Sequence, residues 1–279
     1  MKIAIAFKHS VVSVAALVFS IAMASHASAL TDTDLAAHPA RDAQAGYVLS
    51  ELGKKNSGYH DMVSDVDMSV RGSDSSETKR HFRIEVLERA SANDGDRSLL
   101  SFDSPADVKG TALLSHAQAS GDDEQWLYLP SSKRVKRIAL GNRSGAFLGS
   151  EFTYEDLTGA DTRKYNWASN GTEKCGAVEC VKLEATPKDA SSAYSKRVVF
   201  VEVGELRVKK VDFYDRRGAL LKTLDYDAYA QVGRFLRATQ WTMTNVQTKR
   251  VTVLRFANMK MNTGLTANDL SATKLDQGN

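Results

Sequence analysis

Residues 61–71, DMVSDVDMSVR, and residues 80–87, RHFRIEVL, are the two stretches that decide the class of fold. In each of them apolar and polar side chains alternate, which is the pattern of a β-strand with one buried face. The turn-forming residues 71–74, RGSD, follow directly after the first stretch. Two such strands joined by a short turn predict an antiparallel hairpin.

The same alternation recurs along most of the chain. It is found in residues 98–102, 125–129, 134–140, 164–168, 177–184, 197–203, 206–214, 220–226, 235–245 and 249–256. Only residues 39–55 have the spacing of an amphipathic helix. So many strands joined by short turns predict an antiparallel meander, and such a sheet has to curl, fully or half closed, around an apolar cavity. No linker or repeat divides residues 30–279, which are therefore expected to form a single domain.

Two glycine-rich segments, residues 104–114 and 141–157, break the alternation and carry apolar side chains on irregular backbone. Two interpretations stay open for them: a mobile cover over the cavity, or a plug that completes the core. The candidate ligand-binding residues come from the neighbouring strand and from the second segment, namely Trp126, Tyr128, Phe147, Leu148, Phe152 and Tyr154.

The N-terminus has the features of an export signal. Lys2 and Lys8 precede an apolar run at residues 11–19, and residues 27–29, ASA, end it. This pattern predicts a signal peptide, residues 1–29, that is cleaved to leave a soluble exported protein. The run is shorter than the roughly 20 residues that span a bilayer.

The composition narrows the class of protein further. The chain has 279 residues, of which 42% are hydrophobic and 25% charged, with two Cys. These values exclude a disordered chain and a disulfide-rich miniprotein. Removal of residues 1–29 takes away two Lys and no acidic residue, so the formal charge falls from +3 to +1. A nearly neutral exported protein is not expected to bind nucleic acid.

The two cysteines, Cys175 and Cys180, lie between two predicted strands of a chain that is bound for an oxidising compartment. We therefore expect a disulfide bond across that hairpin. Closing so small a loop stabilises the fold by on the order of 2 kcal/mol, so its main effect is to fix the turn.

No motif for catalysis, nucleotides or metals is present. The sequence has no G-x-S-x-G, no P-loop and no G-x-G-x-x-G, and the four His that follow residue 29 are scattered. The acidic clusters at residues 122–124 and at Glu151, Glu155 and Asp156 lack calcium-loop spacing and are interpreted as solvated turns. We expect no catalytic residue, no metal and no cofactor.

A basic stretch, Lys133, Arg134, Lys136 and Arg137, follows the aromatic strand at residues 125–129. Strand alternation places its cations on both faces. Two interpretations stay open: a site for anionic lipid head groups or an acidic partner, and an edge strand that charges protect from aggregation.

Several ordered motifs resemble the outer-membrane lipoprotein-sorting protein family, a LolA-like group. The resemblance spans about residues 56–270 and is carried by residues 103–114, 122–130, 133–138, 149–157, 211–216, 220–224 and 262–265. It implies a LolA/LolB-like fold, which is mainly β: a strongly curved antiparallel sheet that forms an incomplete barrel with a helix or loop lid.

The resemblance also implies a function. Members are similar to periplasmic carriers that shelter an acyl chain of a lipid or lipoprotein, and the group is associated with RND/MMPL-type inner-membrane exporters. We therefore expect a non-enzymatic periplasmic carrier with a lipid or acylated lipoprotein and such a transporter as partners. The alternative is an accessory subunit of the exporter that carries nothing.

Overall fold

One sheet of 13 strands carries the fold in the computed structural model, which describes residues 29–91, 94–158 and 161–276. The strands are β1 (Asp61–Arg71), β2 (Glu77–Leu87), β3 (Asp94–Ser104), β4 (Ala112–Gln118), β5 (Glu124–Leu129), β6 (Arg134–Arg137), β7 (Tyr165–Cys175), β8 (Val178–Pro187), β9 (Lys196–Glu202), β10 (Arg207–Tyr214), β11 (Leu220–Val232), β12 (Phe235–Asn245) and β13 (Val251–Met261). Apart from Ala29, the predicted signal peptide lies outside the described residues.

Three helices accompany the sheet in the described part of the chain: α1 (Asp32–Ala36), α2 (Arg41–Asn56) and α3 (Ala272–Asp276). The helix predicted over residues 39–55 is confirmed by α2. The sequence pattern missed α1 and α3, because five residues are too few to show a helical period.

The order of strands makes the sheet open. It runs β6-β5-β4-β3-β2-β1-β13-β12-β11-β10-β9-β8-β7, and every neighbouring pair is antiparallel. The first and last strands, β1 and β13, pair in the middle. The edge strands β6 and β7 are not paired with each other, so the predicted incomplete barrel is confirmed.

Irregular pairing marks several strands. The register shifts within β1, β3, β7 and β10, for example between Asp94 and Arg97. At this last site a Cβ on Gly95 would lie 2.0 Å from the carbonyl oxygen of Ala117, so only glycine fits. Such bulges increase strand twist, which a sheet of this width needs in order to curl.

The inner face of the sheet, defined by Phe82, Leu113, Phe213 and Leu254, carries the main hydrophobic core. Helix α2 covers this face at the β7–β9 end, where its Ala45 and Val48 are fully buried. The outer face is covered at the β3–β5 end by the C-terminal segment, through Leu265, Leu270 and Leu275.

Strand β4 corrects the interpretation of residues 112–114, the end of the segment 104–114, as part of an irregular cover or plug. Residues 112–118 form a strand, and Leu113 and Leu114 are fully buried on opposite faces of the sheet. Because both faces are covered here, the sequence shows a continuous apolar run instead of an alternation, and the strand was overlooked.

The predicted disulfide is confirmed: Cys175 and Cys180 are bonded across the β7–β8 turn, with their Cα atoms 5.9 Å apart. Gly176 has φ +67 in that turn. A left-handed residue of this kind suits a two-residue hairpin.

The C-terminal segment gives a test of outer-face burial. Leu270 is fully buried, so Leu270→Ala should lower the free energy of unfolding by about 2–5 kcal/mol in urea titrations. Leu140 is 40% exposed, and Leu140→Ala should stay within about 0.5 kcal/mol of the wild type. Equal unfolding midpoints for the two variants would contradict the packing of residues 265–276 on the sheet.

Candidate functional site

Residues 139–158, here called the cover, lie in the connection between the two edge strands. The cover contains three short 3-10 turns, at Leu140–Asn142, Phe147–Gly149 and Glu155–Leu157, and a bridge between Ala146 and Thr153. Its contacts are with the inner face of the sheet, yet it adds no strand to the sheet. The cover is therefore held by side chains and not by a backbone ladder.

Two aromatic side chains of the cover enter the main core. Phe147 and Phe152 are each 2% exposed. The Phe147 ring lies 5.9 Å from the Phe102 ring and 5.6 Å from the Tyr154 ring. Removing water from rings of this size is among the largest single contributions to packing. The cover is thus also the plug that the sequence analysis kept as its alternative.

A small apolar cavity of about 30 Å³ remains between the cover and the sheet. Its walls are entirely apolar, and the lining residues are Met68, Phe82, Ile84, Leu100, Phe147, Phe152, Leu157, Trp241, Leu254 and Phe256. A volume of this size holds one or two water molecules, whereas ligand pockets usually measure about 300–1,000 Å³. An acyl chain can enter only if the cover moves.

An aromatic row continues from this cavity along the inner face. Trp241 lies 4.8 Å from Phe256 and 5.2 Å from Tyr226, measured between ring centroids. These three side chains on β11, β12 and β13 are only partly buried, and they pack against the edge of the main core. They form the accessible apolar border of the candidate site.

Hydrogen bonds from the sheet hold the backbone of the cover at its centre. Arg80 of β2 donates to the carbonyl oxygen of Leu148 over 2.7 Å, and Arg250, next to β13, donates to that of Gly149 over 2.6 Å. The side chain of Glu151 lies 2.9 Å from Arg250 and accepts from Asn245.

A buried charge cluster holds the end of the cover. Lys222 of β11 lies 2.6 Å from Asp156, and their side chains are 3% and 4% exposed. Tyr194 donates to the same carboxylate over 2.9 Å. Arg197 of β9 lies 2.9 Å from Glu155. Two cations of the sheet are therefore neutralised by two consecutive residues of the cover.

The two cations lie side by side on the inner face. Phe213 of β10 pairs with Arg197 on one side and with Lys222 on the other. Its ring centroid lies 5.2 Å from the guanidinium carbon and 5.3 Å from the ammonium nitrogen. The Tyr194 ring lies 4.9 Å and 5.2 Å from the same two groups. Aromatic faces stabilise cations that have lost their water.

The charge states in this cluster follow from burial and pairing. Burial raises the pKa of Asp156, but Lys222 and Arg197 together outweigh burial, so this pKa lies below its ordinary value. Burial, and next to it the charge of Asp156, raises the pKa of Tyr194. Asp156 is thus ionised and Tyr194 is a neutral donor near neutral pH.

These contacts overturn the interpretation as solvated turns for four of the acidic residues, whereas Asp122 is exposed as predicted. Glu155 and Asp156 are paired inside the fold, and Glu151 is paired at its border. Asp123 is also buried, beside Lys164. The prediction was wrong because the cations that neutralise these carboxylates are distant in sequence.

The structure brings together only some of the predicted ligand-binding residues. Phe147 and Phe152 line the apolar cavity, and Leu148 and Tyr154 pack beside them. Trp126 and Tyr128 face the other side of the sheet and pack against the C-terminal segment. They are therefore separated from the other four residues by the sheet itself.

Several residues of the candidate site were not predicted from the sequence. Tyr226, Trp241 and Phe256 were assigned to strands but not to a ligand surface. Lys222 and Arg197 were not singled out, although each lies on the same strand face as a buried apolar side chain: Leu224, two residues after Lys222, and Val201, four residues after Arg197. A cation at a buried position of an alternating strand was the available signal.

The basic stretch lies at one edge of the sheet. Arg134, Lys136 and Arg137 belong to β6 and are exposed, and Lys133 in the preceding turn has φ 49. Arg137 forms a 2.5 Å ion pair with Glu124. Within the described residues, the other edge of β6 pairs with no strand.

No helix within the described residues is long and apolar enough to cross a membrane. In the same part of the chain no group of three or more His, Cys, Asp or Glu side chains could hold a metal ion.

Comparisons with known proteins agree with this architecture. The chain is 40% identical to a solved outer-membrane lipoprotein-sorting protein domain from Vibrio parahaemolyticus, with a TM-score of 0.79 over 82% of this chain and 97% of that chain. It is 25% identical to a DUF1329 family protein from Desulfovibrio piger, with a TM-score of 0.80 over 85% and 99% of the two chains.

A third structure supports the fold alone. It is a LolA superfamily protein from Nitrosomonas europaea, 22% identical, with a TM-score of 0.66 over 82% of this chain and 98% of that chain. A family model described only as "-like: Uncharacterized protein" matches residues 94–277. None of the curated protein sequences compared with the chain matches it significantly.

The fold and the covered inner face define a LolA-like half-barrel. The chain belongs to the outer-membrane lipoprotein-sorting protein family, which confirms the resemblance found in the sequence.

Because the charges of the cluster are buried, removing one of them should destabilise the protein much more than removing both. Lys222→Met leaves Asp156 buried without its cation and should cost about 3–5 kcal/mol of unfolding free energy. Lys222→Met combined with Asp156→Leu removes both charges and should recover most of this loss. Urea titrations compare the two; an equal loss in both variants would contradict the pairing.

Acidification should lower the stability of the fold by protonating the carboxylate of Asp156. Because the folded-state pKa of Asp156 is lowered, its contribution to stability is complete above the unfolded-state pKa, about 3.9, and is lost as the pH falls through the folded-state value. The stability difference between wild type and Asp156→Asn should therefore be constant from pH 7 to about pH 5 and shrink below about pH 4. A difference that stays constant down to pH 2 would contradict this assignment.

Proposed function

We propose that the protein is a periplasmic carrier that shelters an acyl chain of a lipid or lipoprotein between the inner face of its sheet and the cover. The observation that carries the proposal is the wholly apolar cavity roofed by a segment outside the backbone ladder. The membership of the outer-membrane lipoprotein-sorting family supports it.

The mechanism is burial followed by release. Movement of the cover takes Phe147 and Phe152 off the inner face and opens a surface that ends at Trp241 and Phe256. Each CH₂ transferred from water contributes about 0.8 kcal/mol, so a full chain contributes on the order of 10 kcal/mol before the costs of binding. Part of that free energy is spent on displacing the two phenylalanines.

The basic edge strand supplies a surface for a partner. Arg134 and Lys136 are exposed, and among the strands that the structure describes β6 has a neighbour on one side only. We propose that Lys133, Arg134, Lys136 and Arg137 contact an acidic surface of an RND/MMPL-type inner-membrane transporter that delivers or receives the cargo.

A second function has one observation in its favour. The inner face is already filled by Phe147 and Phe152, and the remaining cavity of about 30 Å³ is too small for a chain. A protein whose cover never moves would be a non-carrying accessory subunit of the exporter. The experiment that follows distinguishes the two functions.

Trp241 is a natural reporter of an acyl chain in the cavity. Bromine quenches tryptophan only at close contact, so a brominated long-chain alcohol should quench the wild-type fluorescence in a saturable manner. Trp241→Phe should abolish most of this quenching, because the other two tryptophans lie elsewhere: Trp126 on the outer face, and Trp167 under α2.

The matched control is Trp126→Phe, which removes a tryptophan from the outer face and should retain the quenching. Absence of saturable quenching in the wild type would contradict the carrier function and favour the accessory subunit. Quenching that persists in Trp241→Phe would place the chain outside the proposed cavity.

A further inference from the structure

The charge cluster of the cover is unusual in the way its charges are divided. Both cations, Arg197 and Lys222, belong to strands of the sheet, and both carboxylates that they contact, Glu155 and Asp156, belong to the cover. Lys222 has a second acceptor, the carbonyl oxygen of Glu151, which is also part of the cover. Any movement that lifts this segment therefore leaves two cations on the inner face without their anions.

Unpaired cations at this depth would be costly. Lys222 is 2% exposed, and the side chain of Arg197 is 14% exposed. Removing one partner from a buried ion pair is strongly destabilising because the remaining charge is not solvated. A ligand that brings its own anion would remove this cost, whereas an uncharged ligand would not.

One hydrogen-bond donor of Arg197 is unsatisfied even with the cover in place. Its Nε is buried and has no hydrogen-bond partner among the described residues. Native proteins rarely leave such donors unsatisfied. A second anionic oxygen beside Arg197 would satisfy it, in the two-point geometry that guanidinium groups form with carboxylates and phosphates.

The cluster also lies at the end of the apolar cavity. Leu157 lines that cavity, and the residue before it, Asp156, contacts Lys222. On β11, Lys222, Leu224 and Tyr226 follow one another on the inner face, and Tyr226 contacts Trp241 of the cavity wall. A chain in the apolar cavity would thus have its polar end near Lys222.

In the closed protein Lys222 also borders a second cavity. This cavity, of about 170 Å³, has Lys222 in its wall together with polar residues from the cover and the β12–β13 turn, among them Ser144, Ser150, Glu151, Asn245 and Arg250. Glu151 is the carboxylate in this wall, and Arg250 and Asn245 already neutralise and bind it. Lys222 therefore borders this second cavity of mixed lining and also contacts Asp156, the residue before Leu157 of the apolar cavity.

We propose that the carried molecule is an amphiphile with an anionic head group, a carboxylate or a phosphate, whose oxygens bind Lys222 and Arg197 in place of Asp156 and Glu155. This inference rests on the proposed carrier function and adds the chemical class of the cargo. In the closed protein, the two carboxylates of the cover occupy the positions that the head group takes when the cover is displaced.

The test measures a preference between ligands that share one chain. Dodecanoate, dodecyl phosphate and dodecanol compete with the neutral dye 1-N-phenylnaphthylamine for the wild-type protein at pH 7.5. All three need the cover to move, so the ratio of their dissociation constants cancels that contribution. We expect both anions to bind about tenfold or more tightly than dodecanol, the value of one charge-assisted hydrogen bond.

Two variants assign the preference to residues. Lys222→Met with Asp156→Leu removes the cation together with its partner, and should reduce the preference for the anions to about threefold or less while dodecanol still binds. Lys210→Met is the matched control: Lys210 lies on the outer face, beside Asp212 and the Phe200 ring, and its loss should leave the preference unchanged.

Each outcome decides one point. A preference for only one anion supports the proposal and identifies the head group as carboxylate or phosphate. Equal binding of all three ligands by the wild type, or a full preference in the double variant, overturns the anionic head group and leaves the carrier function intact. If the dye and all three ligands fail to bind, the carrier function fails as well.

Discussion

An open sheet has to protect its inner face with chain from outside the sheet, and the rest of this structure depends on that constraint. The two edges, β6 and β7, do not pair, so the apolar surface between them would otherwise face water. The chain itself supplies the protection: the segment that joins the two edges crosses the inner face, and α2 covers the remaining end. The connection between the two edge strands therefore also covers the inner face of the sheet.

Apolar contacts alone would hold the cover without fixing its position, because they have no direction. Ion pairs and hydrogen bonds have preferred geometries, and here they occur along the cover at Leu148, Gly149, Glu151 and the pair Glu155 and Asp156. Burying these charges costs desolvation free energy that pairing only offsets. Their effect is to select one position of the cover over others that bury the same apolar area.

Most of the sheet could be predicted from the sequence because a strand with one covered face alternates. The same rule explains why other parts of the sheet could not be predicted. Strand β4 is covered on both faces, so its sequence, ALLSHAQ, does not alternate. Alternation also does not indicate which face of a sheet is the inner one. For this reason Trp126 and Tyr128 were grouped with the cover, although they pack against the C-terminal segment on the outer face. The carboxylates of the cover looked solvated because Arg197 and Lys222 are distant in sequence.

The position of Asp156 and Leu157 joins the two halves of the site. One of these consecutive residues neutralises Lys222 and the other lines the apolar cavity. A displacement of this turn therefore uncovers the apolar cavity and, in the same step, removes the anion that neutralises Lys222. Because the two losses occur together, an amphiphile that restores both contacts favours the open state more than either a bare chain or a free anion can. In the proposed carrier, the geometry of these two adjacent residues couples recognition of the acyl chain to recognition of the head group.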